Sequence, residues 1–230
     1  MIHQLIFAAP RPGMSTEEFH RYWVQEHAVR YAAKIPQIRK YAVDTTVPHP
    51  GGRPPLWDGV AEIWLENEEE QLASLQTPEF LEGARLDEPR WAAFWRTVVL
   101  DTDTEVVVPG TGAAAVQPGV KLLLLAKRRE GLSRDAFRRH SRETHAPLVT
   151  RVPGVTRYHQ SFTRDSWYGI SEPPFDAAYH IWFDSAEAMA DALLSAEQAD
   201  VEADYKNFVN EQYLHTVPVR ENWVIGPEPR

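Results

Sequence analysis

Short apolar runs alternate with amphipathic stretches along the chain, and the pattern is written twice. Ile2–Ala8 reads as a buried strand, and Val120–Ala126 is its counterpart. A glycine turn follows each, then a serine placed to cap a helix. Ser15-x-x-Glu18 is a full capping box, whereas Ser133 keeps only the cap. The helices carry Phe19, Trp23 and His27, or Phe137, Ser141 and His145, at helical spacing. One face of each helix is therefore set to lie on a sheet. Pro36 and Pro153 stop the helices and introduce the strands Ile38–Val43 and Val155–Gln160. Pro/Gly-rich loops (Pro48–Pro55 and Arg164–Pro174) lead to the strands Val60–Leu65 and Tyr179–Phe183. Helices near Glu68–Leu75 and Ala186–Leu194 come next, with further helical turns to Trp95 and Phe208, and the last strands are Thr104–Val108 and Val219–Ile225.

The offset between the copies is 118 residues, within one, about half the chain. That is too long for a solenoid unit of roughly 20–50 residues, and it marks a duplicated domain. Each copy reads βαββαβ, the split-βαβ, ferredoxin-like unit. Helices cover one face of such a sheet, so the other needs a cover, and a second copy supplies one. The expected class is α+β: tandem ferredoxin-like repeats forming an intramolecular α/β-barrel. The expected parts are residues 1–108, a linker at 109–119 and residues 120–230.

Composition narrows the function. At 230 residues with 43% hydrophobic and 25% charged side chains, the chain suits one or two compact soluble domains. A net charge of −9 argues against nucleic acid as a partner. There is no cysteine, which removes disulfides, thiolate nucleophiles, iron–sulfur clusters and cysteine zinc sites. Met1–Leu5 shows no secretory pattern and no apolar run is long enough for a membrane span, so a cytoplasmic location is the default. No HExxH, glycine-rich dinucleotide loop or nucleophile elbow is present, so no metal site is expected.

A serine-capped helix bearing Phe, then His–Ala–(Pro), then Ile/Val–Pro–x–Ile/Val–x–x–Tyr, resembles the EthD family of the dimeric α/β-barrel superfamily. Both copies carry it. The second is the nearer match, with Gly131–Leu132–Ser133, Phe137, His145–Ala146–Pro147–Leu148, Pro153–Gly154–Val155, Tyr158, Asp176 and Trp182. The first departs at Val29 and Gln37. The resemblance implies a fused pseudo-dimer, either monomeric or pairing further as a homodimer. It also implies a cofactor-independent enzyme of small aromatic or polyketide-like metabolites, working by cyclisation, dehydration, decarboxylation or isomerisation. A cofactor-free monooxygenase of phenols or quinones and a non-catalytic binding protein are the alternatives. Haem, held by His27 or His145 as axial ligand, stays open because one histidine suffices.

Candidate chemistry gathers on histidine and aromatic residues. His27 and His145 end their amphipathic helices, where a neutral imidazole can exchange protons or can bond a backbone carbonyl as a structural brace. Glu62 and Trp64 share a strand face in the first copy, as His180 and Trp182 do in the second. The catalytic candidates are therefore His145, His180, Tyr158 and His27. The substrate-binding candidates are Trp182, Trp167, Ser141, Tyr179, Trp64 and Glu62. Trp64 and Trp182 read first as core and second as binding residues, whereas His180 is weighed evenly between catalysis and structure. Ser141 stands where the first copy has Trp23, a loss of volume that would open a pocket beside His145 unless another side chain refills it.

Overall fold

The computed structural model describes residues 1–48, 55–110 and 119–230; the Pro48–Pro55 loop and the 109–119 linker lie largely outside them. These residues form two compact units. The first contains Met1–Thr46, Leu56–Thr102 and Glu221–Arg230, and Asp103–Arg220 belongs to the second.

In the first unit, β1 (Ile2–Ala8) leads to α1 (Thr16–Tyr22). A π-helical stretch, Trp23–His27, continues α1 into α2 (Ala28–Arg30). Then come β2 (Lys40–Thr46), β3 (Gly59–Leu65), α3 (Glu68–Ser74), α4 (Arg85–Asp87) and β4 (Val98–Val108). The strands pair antiparallel in the order β4-β1-β3-β2, the ferredoxin-like arrangement. The predicted capping box forms: Ser15 Oγ accepts from Glu18 N–H at 3.2 Å and the Glu18 carboxylate accepts from Ser15 N–H at 3.0 Å. Two turns of helix are marginal alone, so α1 is held by the apolar face that Phe19 and Trp23 bury with Ala61 and Ile63 of the sheet.

The second unit repeats the plan. β5 (Val120–Arg128) is followed by α5 (Arg134–His140), a π-helical stretch Ser141–His145, and α6 (Ala146–Val149). β6 (Arg157–Thr163), α7 (Asp165–Tyr168) and β7 (Ala177–Phe183) come next. The unit continues with α8 (Ala186–Leu193), α9 (Ala196–Phe208) and β8 (Val209–Ile225). β8, β5, β7 and β6 pair antiparallel in that order. The class is α+β, two ferredoxin-like repeats of the α/β-barrel type.

Most predicted elements recur within a few residues; three findings were not in the hydrophobic pattern. β4 starts six residues before the predicted Thr104, because Asp101 and Asp103 break its apolar run. β8 starts at Val209 instead of Val219, since Asn210, Glu211 and Gln212 mask its strand character. It pairs with β5 across a bulge between Ala126 and Arg128. The Arg164–Pro174 loop contains α7, and Tyr168 of that helix donates to Asp176 at 2.5 Å.

Candidate functional site

Each π-helical stretch delivers a histidine to a buried carboxylate. Ala28 N–H bonds Trp23 O and Ala146 N–H bonds Ser141 O, five residues back in each case. Such a wide turn shifts the helix face locally and is common where a side chain has a special task. In the first unit His27 Nδ1 lies 3.0 Å from Asp87 Oδ2, and the Tyr22 hydroxyl donates to Oδ1 at 2.8 Å. Trp91 Nε1 approaches the same His27 nitrogen at 3.2 Å. As the Nδ1–H tautomer the ring serves Asp87; as the bare nitrogen it accepts from Trp91. The two neighbours thus compete for one position.

The second unit builds the same pair with different surroundings. His145 Nδ1 lies 3.1 Å from Asp204 Oδ2. Oδ1 of that carboxylate is 2.8 Å from His140 Nε2 and accepts from Asn207 Nδ2 at 2.9 Å. No indole competes here, so the carboxylate fixes Nδ1 as the protonated nitrogen and leaves Nε2 to exchange a proton. Nε2 has no hydrogen-bond partner among the described residues. The imidazole is enclosed by the rings of Phe208, Tyr205 and Tyr179, with centroids 4.7, 5.3 and 5.7 Å away. Burial lowers the pKa of both His27 and His145 below the usual imidazole value, against the opposing pull of Asp87 or Asp204. Burial alone would raise Asp204, but donation from His145, Asn207 and His140 outweighs it and holds the group well below the carboxylate range. The pair in the resting state is therefore a neutral imidazole on an ionised carboxylate.

The other sequence candidates fall into separate groups. Tyr158 and Tyr179 face the helices in the second core with Phe137 and Val149, and both are fully buried. Tyr158 accepts from Gln160 Nε2 at 2.8 Å, and the Tyr179 hydroxyl lies 2.9 Å from Ser141 Oγ. Burial raises both phenol pKa values, so they stay protonated. The room left by Ser141 is not a pocket. Tyr179 refills it, and the first unit has Ala61 at the corresponding position, so a Trp–Ala pair is exchanged for a Ser–Tyr pair.

His180 and Trp182 lie on the opposite face of the sheet. Register sets His159 against His180 and Arg157 against Trp182, whereas Tyr158 opposes Ile181. His180 Nε2 lies 2.9 Å from Ser161 Oγ, which is 2.8 Å from Thr104 Oγ1. Trp182 stacks with His180 at 5.8 Å and carries the Arg157 guanidinium at 3.7 Å. The counterpart positions in the first unit hold Glu62, 3.0 Å from His3 Nε2, and Trp64, stacked on His3 at 4.2 Å. Trp167 sits in α7, half-buried. A single pocket uniting His145, Tyr158, Trp182 and Trp167 is thus not what the geometry assembles: His145, Ser141, Tyr158 and Tyr179 share one side of the sheet, His180 and Trp182 the other.

Asp87 and Asp204 were not among the sequence candidates, nor was Tyr205. A signal for the carboxylates exists, since both copies carry Asp-x-x-x-aromatic, as Asp87–Trp91 and Asp204–Phe208. Both rings are packed on aromatic side chains, with centroids 4.7–6.2 Å away, and are at most 6% exposed. Among the described residues no helix is long and apolar enough to cross a membrane.

Comparison with known proteins agrees with the duplication. The EthD domain matches residues 11–94 and again 129–212. An anthrone oxidase-like protein of known structure is 12% identical, covering 96% of this chain and 92% of its own, with a TM-score of 0.65. A protein from Lactobacillus acidophilus NCFM, provisionally described as a monooxygenase, is 11% identical over 100% and 97% of the two chains, with a TM-score of 0.57. An ethyl tert-butyl ether D (EthD) family protein from Bacillus halodurans C-125 is 24% identical and aligns 99% of its length with 49% of this chain, at a TM-score of 0.35. No curated protein matches at a significant level.

Proposed function

The chain belongs to the EthD domain family, and from that premise we propose that it is an enzyme of small, largely apolar metabolites, aromatic or polyketide-like, that works by proton transfer without a cofactor. The observation that carries this reading is the His145–Asp204 pair with its fixed tautomer. A buried, neutral imidazole is a base at ordinary pH. Nε2 takes a proton from a C–H beside a carbonyl, or from a phenol, leaving an imidazolium and an enolate or phenolate. Asp204 accepts from Nδ1–H throughout and stabilises the imidazolium as it forms, and Nε2 returns the proton at another atom of the substrate. Exclusion of water by the Phe208, Tyr205 and Tyr179 rings strengthens these electrostatic contacts. Such a sequence serves isomerisation, dehydration, decarboxylation and cyclisation equally.

The first unit's pair, whose His27 nitrogen is contested by Trp91, is read as a brace. The His180 and Glu62 clusters on the opposite sheet faces are not assigned a step.

The test is solvent exchange. A panel of β-keto and phenolic compounds is incubated with the protein in D2O, with and without oxygen, and followed by mass spectrometry. Deuterium incorporation or conversion at Nε2-accessible positions is the expected result. Conversion that requires oxygen would replace proton transfer with an oxygenase reading, the chemistry named for two of the structural neighbours. Binding without exchange or conversion would make the protein a carrier.

A further inference from the structure

The second unit has a half-open groove of about 710 Å³ on the helix-covered side of its sheet. Its floor is Leu122 and Leu124 of β5 with Ile181 and Phe183 of β7, and Val149, Ala190, Leu193 and Val201 wall it from α6, α8 and α9. Leu214 and Thr216 close one side from β8. Two observations set the groove apart from a packing fault. First, the duplication does not explain it. Leu122 corresponds to Gln4, which instead bonds Asp101 at 2.8 Å in the first unit, and Val149 corresponds to Tyr31, a larger residue. The second copy has the apolar or smaller residue at both places. Second, Tyr205 lines the groove with its ring buried, and its hydroxyl, still reached by solvent, has no hydrogen-bond partner among the described residues, so it is free to donate to a ligand oxygen.

We propose that this groove is a binding site for an uncharged, apolar small molecule that carries a carbonyl or ether oxygen for the Tyr205 hydroxyl. Uncharged follows from the lining: its ionisable side chains at neutral pH are Glu202 and Glu211, both exposed at the rim, which disfavour a carboxylate ligand. A volume of this size suits a molecule of two to four fused or linked rings. Tyr205 also packs its ring 5.3 Å from that of His145, so the residue that would hold the ligand's oxygen lies beside the imidazole. Tyr205 is thereby a binding and positioning residue. The link to chemistry rests on the proton-transfer reading above; the binding itself does not.

The probe is Nile red, a neutral, planar, apolar dye with a carbonyl, titrated by fluorescence against the whole protein, with anilinonaphthalene sulfonate as its anionic comparison. Wild type is expected to bind one Nile red, and to bind it more tightly than the sulfonate. Ala190→Trp and Leu214→Trp fill the groove from the helix and sheet sides and should each weaken Nile red at least tenfold with unchanged thermal melting. Tyr205→Phe should weaken it about 2- to 10-fold, the worth of one hydrogen bond. Glu202→Gln with Glu211→Gln should narrow the gap between the dyes. Unchanged Nile red affinity in both tryptophan variants overturns the site, and equal affinity for the two dyes in wild type overturns its preference for uncharged ligands. His145→Gln keeps Nile red binding in either case; its effect on deuterium exchange alone decides the proton-transfer reading, so the two failures cannot be confused.

Discussion

The two halves hold the same histidine–carboxylate pair in unlike company, and the contrast separates what the fold requires from what one copy has acquired. In the first, Asp87 is shared by His27 and the Tyr22 hydroxyl, and Trp91 contests His27 Nδ1. In the second, Asp204 gathers His145, His140 and Asn207, and no other group among the described residues contests the imidazole nitrogen. Tying a helix end to the carboxylate is common to both and reads as architecture. Aromatic rings pack on the imidazole in both halves; the single tautomer and the neighbouring groove set the second apart, and they concentrate the chemistry there.

The largest effect should come from removing the shared element. Asp204→Ala leaves two imidazoles and an amide without their acceptor, and it should lose about 1–3 kcal/mol in urea melts for each buried donor left unpaired. Asp87→Ala should lose a similar amount. If either carboxylate can be deleted within about 0.5 kcal/mol, the pair is not a brace in that half.

A smaller effect sharpens the packing difference. Ala61→Tyr would crowd Trp23 and should cost about 1–3 kcal/mol as overpacking. The double change Trp23→Ser with Ala61→Tyr imitates the second half, whose Tyr179 hydroxyl lies 2.9 Å from Ser141 Oγ, and should recover most of that loss. A double variant no more stable than the sum of its parts would show that the exchange is not compensatory.

The mildest prediction concerns pH. The folded-state pKa values of His27 and His145 lie below the ordinary 6.5, so the unfolded chain takes up protons first as pH falls. Their contribution to stability is complete above about pH 6.5 and is lost progressively below it. Asp204, depressed from 3.8, contributes fully above that value and loses its share at lower pH. His145→Gln should flatten the melting temperature against pH just below 6.5, leaving the lower stage, and Asp204→Asn should remove Asp204's part of that lower stage. A wild-type curve flat from pH 7 to 4 would contradict the histidine stage, and one flat below pH 3.8 would contradict the Asp204 stage.

Much of this was legible in the chain because local signals agree with the fold. Ile2–Ala8 is found with the predicted bounds, and Ser15–Glu18 caps as its spacing requires. Helix periodicity aimed His27 and His145 inward, and strand alternation placed His180 with Trp182. What it could not aim was the partner. Asp87 and Asp204 come from segments about 60 residues away, and Asp204 sits on α9 within a thin apolar stripe of Val201, Tyr205 and Phe208, where the pattern marks the buried side but not which imidazole the aspartate meets. The refilling of Ser141 by Tyr179 depends on a contact between helix and strand 38 residues apart. Alternation carried across paired strands separates two of the candidates, since register sets Tyr158 opposite Ile181 and so on the other face from Trp182.

The most direct test compares the two histidines on the chemistry itself. For whichever compound exchanges in D2O, the exchange rate is measured for wild type, His27→Gln and His145→Gln, with melting temperatures alongside. The account predicts that His145→Gln slows exchange by about 10²–10⁴-fold, the usual worth of a general base, while His27→Gln lowers the melting temperature and leaves the rate within about threefold, far short of that base effect. A His145→Gln protein that exchanges at the wild-type rate, or a His27→Gln protein that loses exchange while remaining folded, would contradict it.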